Sequence, residues 1–368
     1  MIPVETDRSK VAPDRPWRLR RLRADETDEA RALSVACFGA RANTEAFIRA
    51  RYFHPQGPRV FVVVAEQDGR LIGQQAATLL PFRAGDSDVT VCMFTDGMTH
   101  PGYQRRGVFA HLLKATAAQA FERGACALFT MPNDESIPAF RKSATWSLFP
   151  PRYLYARVID AGGFCRDRRL PRALGALLVP VARRPQAARW ASYSVDQIDG
   201  IETVADHIDR LAGDCCRCIG GVLCRRDAAF LQWRFGENPT FSYRYFVARD
   251  AEGRIGALVI TTTESRLHTT ITLVVDVVWS GDDEALSAAV EYAADRGLQD
   301  GATVFGTIVT PGHLADRLRR CGLCRLPPRF VGRRFHTAIA LHPDRSVVPP
   351  IMARSESWYF GLADFDTI

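Results

Sequence analysis

Apolar and polar positions alternate in two successive series along the chain. Residues 17–23, Trp-Arg-Leu-Arg-Arg-Leu-Arg, read as a half-buried strand. Helical spacing follows over 28–38 and 44–52, with Asn43 as the candidate cap of the second helix. Residues 60–66 and 71–80 are β-rich and are joined by Gln67-Asp68-Gly69-Arg70, a hairpin signal. A third strand is expected over 87–95. The run 108–123 then carries a helical stripe of Phe109, Leu112, Leu113, Thr116, Ala117, Ala120 and Phe121. A buried strand at 125–131, a helix from Asn133 and a strand near 152–159 complete the first series.

The second series echoes the first. Residues 243–249 and 254–262 form a hairpin through Asp250-Ala-Glu-Gly253. Strand, helix, strand, helix and strand follow at 270–279, 284–296, 302–309, 314–320 and 329–341. The expected organisation is a flexible tail (1–16), a first domain (17–160), a connector (161–198), a second domain (199–345) and a C-terminal tail (346–368). The fold class is α/β (α+β). The C-terminal tail, with Trp358, Tyr359 and Phe360 close to Asp364 and Asp366, is expected to dock as a cap.

The chemistry concentrates where the third strand of the first series passes into its helix: Thr95-Asp-Gly-Met-Thr-His-Pro-Gly-Tyr-Gln-Arg-Arg-Gly-Val-Phe-Ala110. Consecutive backbone N–H groups at a helix start favour an anion, and Gly107 lets oxygens approach the backbone. Arg105 and Arg106 can add charge-assisted hydrogen bonds.

Gln104-Arg-Arg-Gly107-Val-Phe109 resembles the Gln/Arg-x-x-Gly-x-Gly/Ala loop of GNAT-superfamily acyltransferases, with Thr99-His100-Pro101 before it and Asn133, Ser136 and Phe140 after it. The resemblance covers roughly 17–160. It implies acetyl-CoA, or another acyl-CoA, as co-substrate, held by Met98, Thr99, Gln104, Arg105, Arg106, Gly107, Val108, Phe109, Ala110 and Asn133. Two residues depart from the pattern. Phe109 replaces a small residue, and Phe140 stands where many members carry a Tyr that protonates the leaving thiolate. A phenyl ring has no proton to give. The second series has Ser280-Gly-Asp-Asp-Glu-Ala285 at the equivalent turn, and its acids would repel a pyrophosphate. It is read as a GNAT-like domain without a CoA loop. The segment Phe230-Leu-Gln-Trp-Arg-Phe-Gly-Glu-Asn-Pro239 also resembles tandem GNAT-like bacterial proteins.

Asp96 is the candidate general base, with a local backbone hydrogen-bonding role as its structural alternative. His100 is the second candidate, or a structural residue ahead of Pro101.

The composition of the 368 residues, 47% apolar and 24% charged, is that of a globular protein. The net charge of +7 suits a polyanionic ligand, and its dispersal argues against nucleic acid. No apolar run approaches a spanning length, and no secretory signal is visible, which points to the cytoplasm. The apolar stretch within 166–185 could lie on a membrane surface, although its shortness and Pro171 and Pro180 favour an interdomain helix. Ten cysteines include Cys215-x-x-Cys218 and Cys321-x-x-Cys324. These spacings suit zinc, but the pairs lie far apart in sequence, and no metal is expected. The resulting expectation is an N-acetyltransferase acting on a small amine, an amino sugar by resemblance. A CoA-binding scaffold and an aminoacyltransferase using charged tRNA are the alternatives.

Overall fold

The computed structural model describes residues 15–55, 57–171, 192–236, 238–266, 269–327 and 335–364. The first series runs β1 (Arg18–Arg21), α1 (Thr27–Phe38), α2 (Glu45–Tyr52), β2 (Arg59–Gln67), β3 (Arg70–Ala84), β4 (Ser87–Thr99), α3 (Val108–Glu122), β5 (Ala127–Thr130), α4 (Ile137–Arg141), β6 (Ser147–Val158) and α5 (Ala161–Asp167). The β2–β3 hairpin closes through Asp68 and Gly69, both at positive φ (51° and 74°) as a two-residue primed turn requires. The predicted stripe of α3 packs on the sheet beneath Phe61, Ile72 and Phe94. Gly73 on β3 lets the helix sit close: a Cβ there would lie 2.9 Å from Leu112 Cδ1 and 3.0 Å from Val108 Cγ1.

The second series runs β7 (Ser194–Ile198), α6 (Ala205–Ile219), β8 (Val222–Cys224), α7 (Ala228–Leu231), β9 (Arg244–Arg249), β10 (Ile255–Arg266), β11 (Thr269–Trp279), α8 (Asp283–Gln299), β12 (Val304–Val309), α9 (His313–Arg320), β13 (Cys324–Arg325) and β14 (Phe335–Leu341). The strands make a mixed, mostly antiparallel sheet in the order β1-β2-β3-β4-β5-β14-β6-β12-β11-β10-β9-β7. Among the described strands, only β4–β5 and β11–β12 pair with each other in parallel.

Pairing crosses the division that chain order suggests. The strand expected over 329–341 as part of the second domain is described from Phe335, and it inserts between β5 and β6 of the first series. In turn, Tyr153–Val158 of β6 pair with β12 of the second. Each series lends the other a strand, and so the short strands β5 and β12 are not left as open edges. One apolar core accordingly spans both halves, joining Phe82 and Phe129 to Phe246, Val259 and Trp279.

Within the stretch expected as connector, α5 starts at an Asp160 cap, and Ser194–Ile198 form an edge strand on β9. Residues 172–191, which include most of the 166–185 segment, and residues 1–14 of the tail lie outside the described residues. Among the described residues, no helix is long and apolar enough to cross a membrane. The C-terminal tail is docked to residue 364. Trp358 stacks on Phe360 at 5.6 Å and packs on Phe82 and Phe149, while Phe360 packs on Phe129.

Candidate active site

The two parallel pairings define two wedges. Parallel β4 and β5 pair from Val91/Ala127 to Phe94/Thr130, where Thr130 Oγ1 donates to Phe94 O at 3.0 Å. β5 then ends while β4 continues to Thr99. Among the described residues, nothing pairs with β4 on that side beyond Phe94. The carboxyl ends of parallel strands are where such sheets open to ligands.

Above this opening the chain turns through Pro101–Tyr103 and enters α3. Gln104, Arg105, Arg106 and Gly107 are exposed, and Arg106 lies over the Tyr103 ring at 5.2 Å. Arg105 (φ 62°) and Gly107 (φ 86°) both adopt the left-handed region, and no atom lies within 4 Å of the place a Cβ on Gly107 would take. The first helical bond runs from His111 N to Gly107 O, so the N–H groups of Val108, Phe109 and Ala110 have no intrahelical acceptor. No side chain caps this helix, and its first turn holds no acid. The cradle fits a diphosphate.

The second wedge is built differently. Parallel β11 and β12 pair from Ile271/Val304 to Leu273/Gly306, and beyond them the tail enters. Thr310 N donates to Phe360 O at 2.9 Å, and Phe360 N donates to Thr310 Oγ1 at 3.2 Å. Arg226 then bridges Asp276 of β11 and Asp364 of the tail, at 2.8 and 2.7 Å, all three side chains buried. The helix that follows β11 is capped by Asp282, which accepts from Glu284 N and Ala285 N, and its first turn carries Asp283 and Glu284. Thus the second half fills its wedge with its own chain and closes its helix start with carboxylates.

A bulge marks the open wedge. Gln74 pairs with Met98 and Ala76 with Thr95, so Asp96 and Gly97 stand opposite Gln75 alone, with Asp96 at φ 50°. The bulged carbonyls are held by two side chains of β3: Gln75 Nε2 donates to Thr95 O at 2.8 Å, and Gln74 Nε2 to Asp96 O at 3.4 Å. Successive N–H groups of a strand point to alternate sides. His100 N donates to Ile72 O of β3, so the Thr99 N–H faces away from β3, towards the opening.

The Asp96 carboxylate lies on the α1–α2 side of the sheet. Its Oδ1 accepts from Asn43 Nδ2 at 3.1 Å. Asn43 is not the cap of α2 that its position suggested; Thr44 takes that role, accepting from Phe47 N at 3.1 Å, and this leaves the Asn43 amide to reach β4. Buried Tyr52 packs beside them, and Gln74 Nε2 donates to its hydroxyl at 3.2 Å. Burial first, and then the neighbouring Asp96 charge, push the Tyr52 phenol well above its usual range.

The remaining predicted residues have clear places. His100 Nδ1 accepts from Gly102 N at 3.2 Å, and its ring meets Tyr103 edge-on, so it shapes the turn into the cradle. Met98 is buried within β4. Asn133 Oδ1 accepts from Ser136 N at 2.9 Å, organising the turn after β5. The helix expected from Asn133 is confined to Ile137–Arg141. Phe109 lies edge-on to Phe140, and Phe140, which is buried, lies edge-on to Trp146. The described residues contain no group of three or more His, Cys, Asp or Glu side chains placed to hold a metal. Cys321 lies instead against Ser287 Oγ at 3.4 Å, while Cys324 is exposed on β13.

Tyr52, Asn43 and Gln74 were not anticipated as site residues. The available signal was Gln74-Gln75, two adjacent amides inside an otherwise apolar strand.

Residues 18–148 match the family profile described as Acetyltransferase (GNAT) domain. No curated protein sequence matches the chain. Among solved structures, the fold is shared with a conserved protein of unknown function from Enterococcus faecalis V583, described as a probable N-acyltransferase (13% identity, 88% of this chain and 72% of that one, TM-score 0.62). It is shared as well with a GCN5-related N-acetyltransferase from Anabaena variabilis (12%, 88% and 72%, TM-score 0.61). Saccharomyces cerevisiae N-myristoyltransferase with bound myristoyl-CoA is similar over 89% of this chain and 82% of that one (10% identity, TM-score 0.58). Residues 18–148 are a GNAT domain, set in a chain that has the GNAT fold.

Proposed function

We propose that the protein transfers an acyl group, acetyl in the simplest case, from coenzyme A to the amine of a small molecule, with amino sugars among the acceptors to test. The observation that carries this reading is the contrast between the wedges. The first opens onto an uncapped, acid-free helix start, whereas the second is filled. In this reading the first half binds the co-substrate, and the second supplies strand β14 and shapes the acceptor side.

The pyrophosphate lies on the N–H groups of Gly107 to Ala110, with Arg105 and Arg106 alongside and Gln104 at the rim. The pantetheine arm follows β4 past Thr99, with Asn133 across the opening. The amine nitrogen attacks the thioester carbonyl carbon, forming the C–N bond. The Thr99 N–H faces the oxygen on which charge develops. The nitrogen's proton passes to Asp96, directly or through water. The C–S bond breaks and sulfur leaves as thiolate, which takes its proton from water. A thiol with a pKa of about 8.5 is a fair leaving group.

A second reading, coenzyme A binding without turnover, draws on Phe140, which is boxed in by Phe109 and Trp146 and offers no proton.

Calorimetric titration of acetyl-CoA into the wild type and into Gly107→Glu tests the first step, and free-thiol release with a panel of amines tests the second. The expected result is binding that vanishes in the variant, then thiol release with at least one amine. Binding without release across the panel would favour the second reading. Absence of binding by the wild type would remove both.

A further inference from the structure

Asp96 is the most constrained acidic residue of the open wedge, and the constraint is distributed over three separate elements. Its backbone sits at positive φ, a conformation that disfavours a non-glycine residue. The loop before α2 gives its Oδ1 the Asn43 amide at 3.1 Å. β3 gives its carbonyl the Gln74 amide at 3.4 Å, and the same amide reaches the Tyr52 hydroxyl at 3.2 Å. Asn43 is itself held, its N–H donating to Ser34 Oγ of α1 at 3.0 Å. A carboxylate that served only the bulge's own backbone would not need the Asn43 amide.

We propose that Asn43, through its amide on the Asp96 carboxylate, and Tyr52, through the Gln74 amide that reaches both its hydroxyl and the Asp96 carbonyl, are positioning residues that hold Asp96 in the orientation from which it takes the proton of the attacking nucleophile. This inference rests on the acyl-transfer reading above. Tyr52 is not itself the missing acid. A phenol that burial and a neighbouring carboxylate hold above its ordinary range does not give its proton to a thiolate of pKa about 8.5, because the transfer is uphill. It remains a hydroxyl throughout. The charged groups that act on it are Asp96 from β4 and Arg51 from its own helix, and Arg51 is turned to the Trp233 ring at 4.5 Å.

Donors to a carboxylate favour its ionised form. Removing one should therefore lower the turnover number. The KM for acetyl-CoA should stay unchanged, because neither residue lies in the cradle.

The test is thiol release from acetyl-CoA, with glucosamine and with water as nucleophile, from pH 5 to 9. It compares the wild type, Tyr52→Phe, Asn43→Ala and Asp96→Asn, each checked for binding by calorimetry. The expected result is a loss of about a hundredfold or more in Asp96→Asn. Tyr52→Phe and Asn43→Ala should each lose about tenfold in turnover at unchanged KM for acetyl-CoA. If Tyr52→Phe does not fold, Asn43→Ala carries the same reading. Turnover numbers for Tyr52→Phe and Asn43→Ala equal to the wild type's, or losses that appear in KM instead, would overturn the proposal while leaving acyl transfer intact. A wild type that binds acetyl-CoA yet releases no thiol with either nucleophile would overturn it too, because Asp96 would then activate nothing. Failure of binding itself would instead strike the acyl-transfer reading.

Discussion

Arg157 and Glu291 form a buried bidentate ion pair, Nη1 to Oε1 at 2.7 Å and Nη2 to Oε2 at 2.8 Å, with Nη1 also donating to Cys321 O at 2.8 Å. Arg157 stands on β6, the last strand of the first series, and Glu291 on α8 of the second. The pair fastens the lent strand where it arrives. Glu291→Ala leaves a buried guanidinium without its carboxylate and should cost about 3–5 kcal/mol in urea unfolding. The double variant Arg157→Met/Glu291→Leu should recover most of that loss.

The cap of α2 and the clamp on Asp96 are adjacent residues with separable effects. Thr44→Ala removes the acceptor for Phe47 N and should lower stability by about 1 kcal/mol. Asn43→Ala should leave the start of α2 intact, with amide exchange at Phe47 unchanged and accelerated only in the Thr44 variant.

Phe140→Tyr places a hydroxyl at the position where the resemblance of the sequence implies a thiolate-protonating Tyr. If departure of the thiolate limits the rate, turnover should rise by about tenfold, below the full range of general acid catalysis because the ring is pinned between Phe109 and Trp146. Stopped-flow detection of free thiol would read it. An unchanged rate would mean that the chemical step lies elsewhere.

The Asp276–Arg226–Asp364 bridge makes a pH-dependent prediction. Burial pushes the Asp276 carboxyl up to about 6 even with Arg226 pulling it back. A carboxyl raised above its unfolded value, about 3.9, contributes fully to stability below that value and loses the contribution as pH rises through the folded one. In the wild type this loss falls between about pH 4 and 6. Arg226→Met removes the opposing charge, raises the folded value further and extends the loss to higher pH. The variant should therefore be destabilised, and its deficit in urea unfolding should be larger at pH 8 than at pH 5.

Much of this architecture was legible in local pattern. The Asp68-Gly69 turn, the stripe on α3 and the Gly107 cradle each follow from residues within one turn or one hairpin. What escaped was set by distant partners. Asn43 and Thr44 are both good caps, and only the presence of Asp96 across the sheet decides which of them is used. Phe335–Leu341 alternates as any strand does, and nothing in its own residues says that it pairs with β5 rather than with a neighbour in sequence. Helix α6 was not predicted although its buried residues Ile208, Leu211, Ala212, Cys215 and Cys216 fall on one helical stripe, which shows only when the cysteines are counted as apolar.

The exchange of strands also bears on how the molecule is made. On the ribosome, β4, β5 and the cradle emerge long before β14, so the first sheet waits with a gap between β5 and β6 until synthesis nears its end. Pairings this distant in sequence form slowly and leave edges exposed meanwhile. A chain cut short within its last strand would thus be damaged first at the opposite end, beside β5 and the turn into α3. The two halves are inherited, and lost, together.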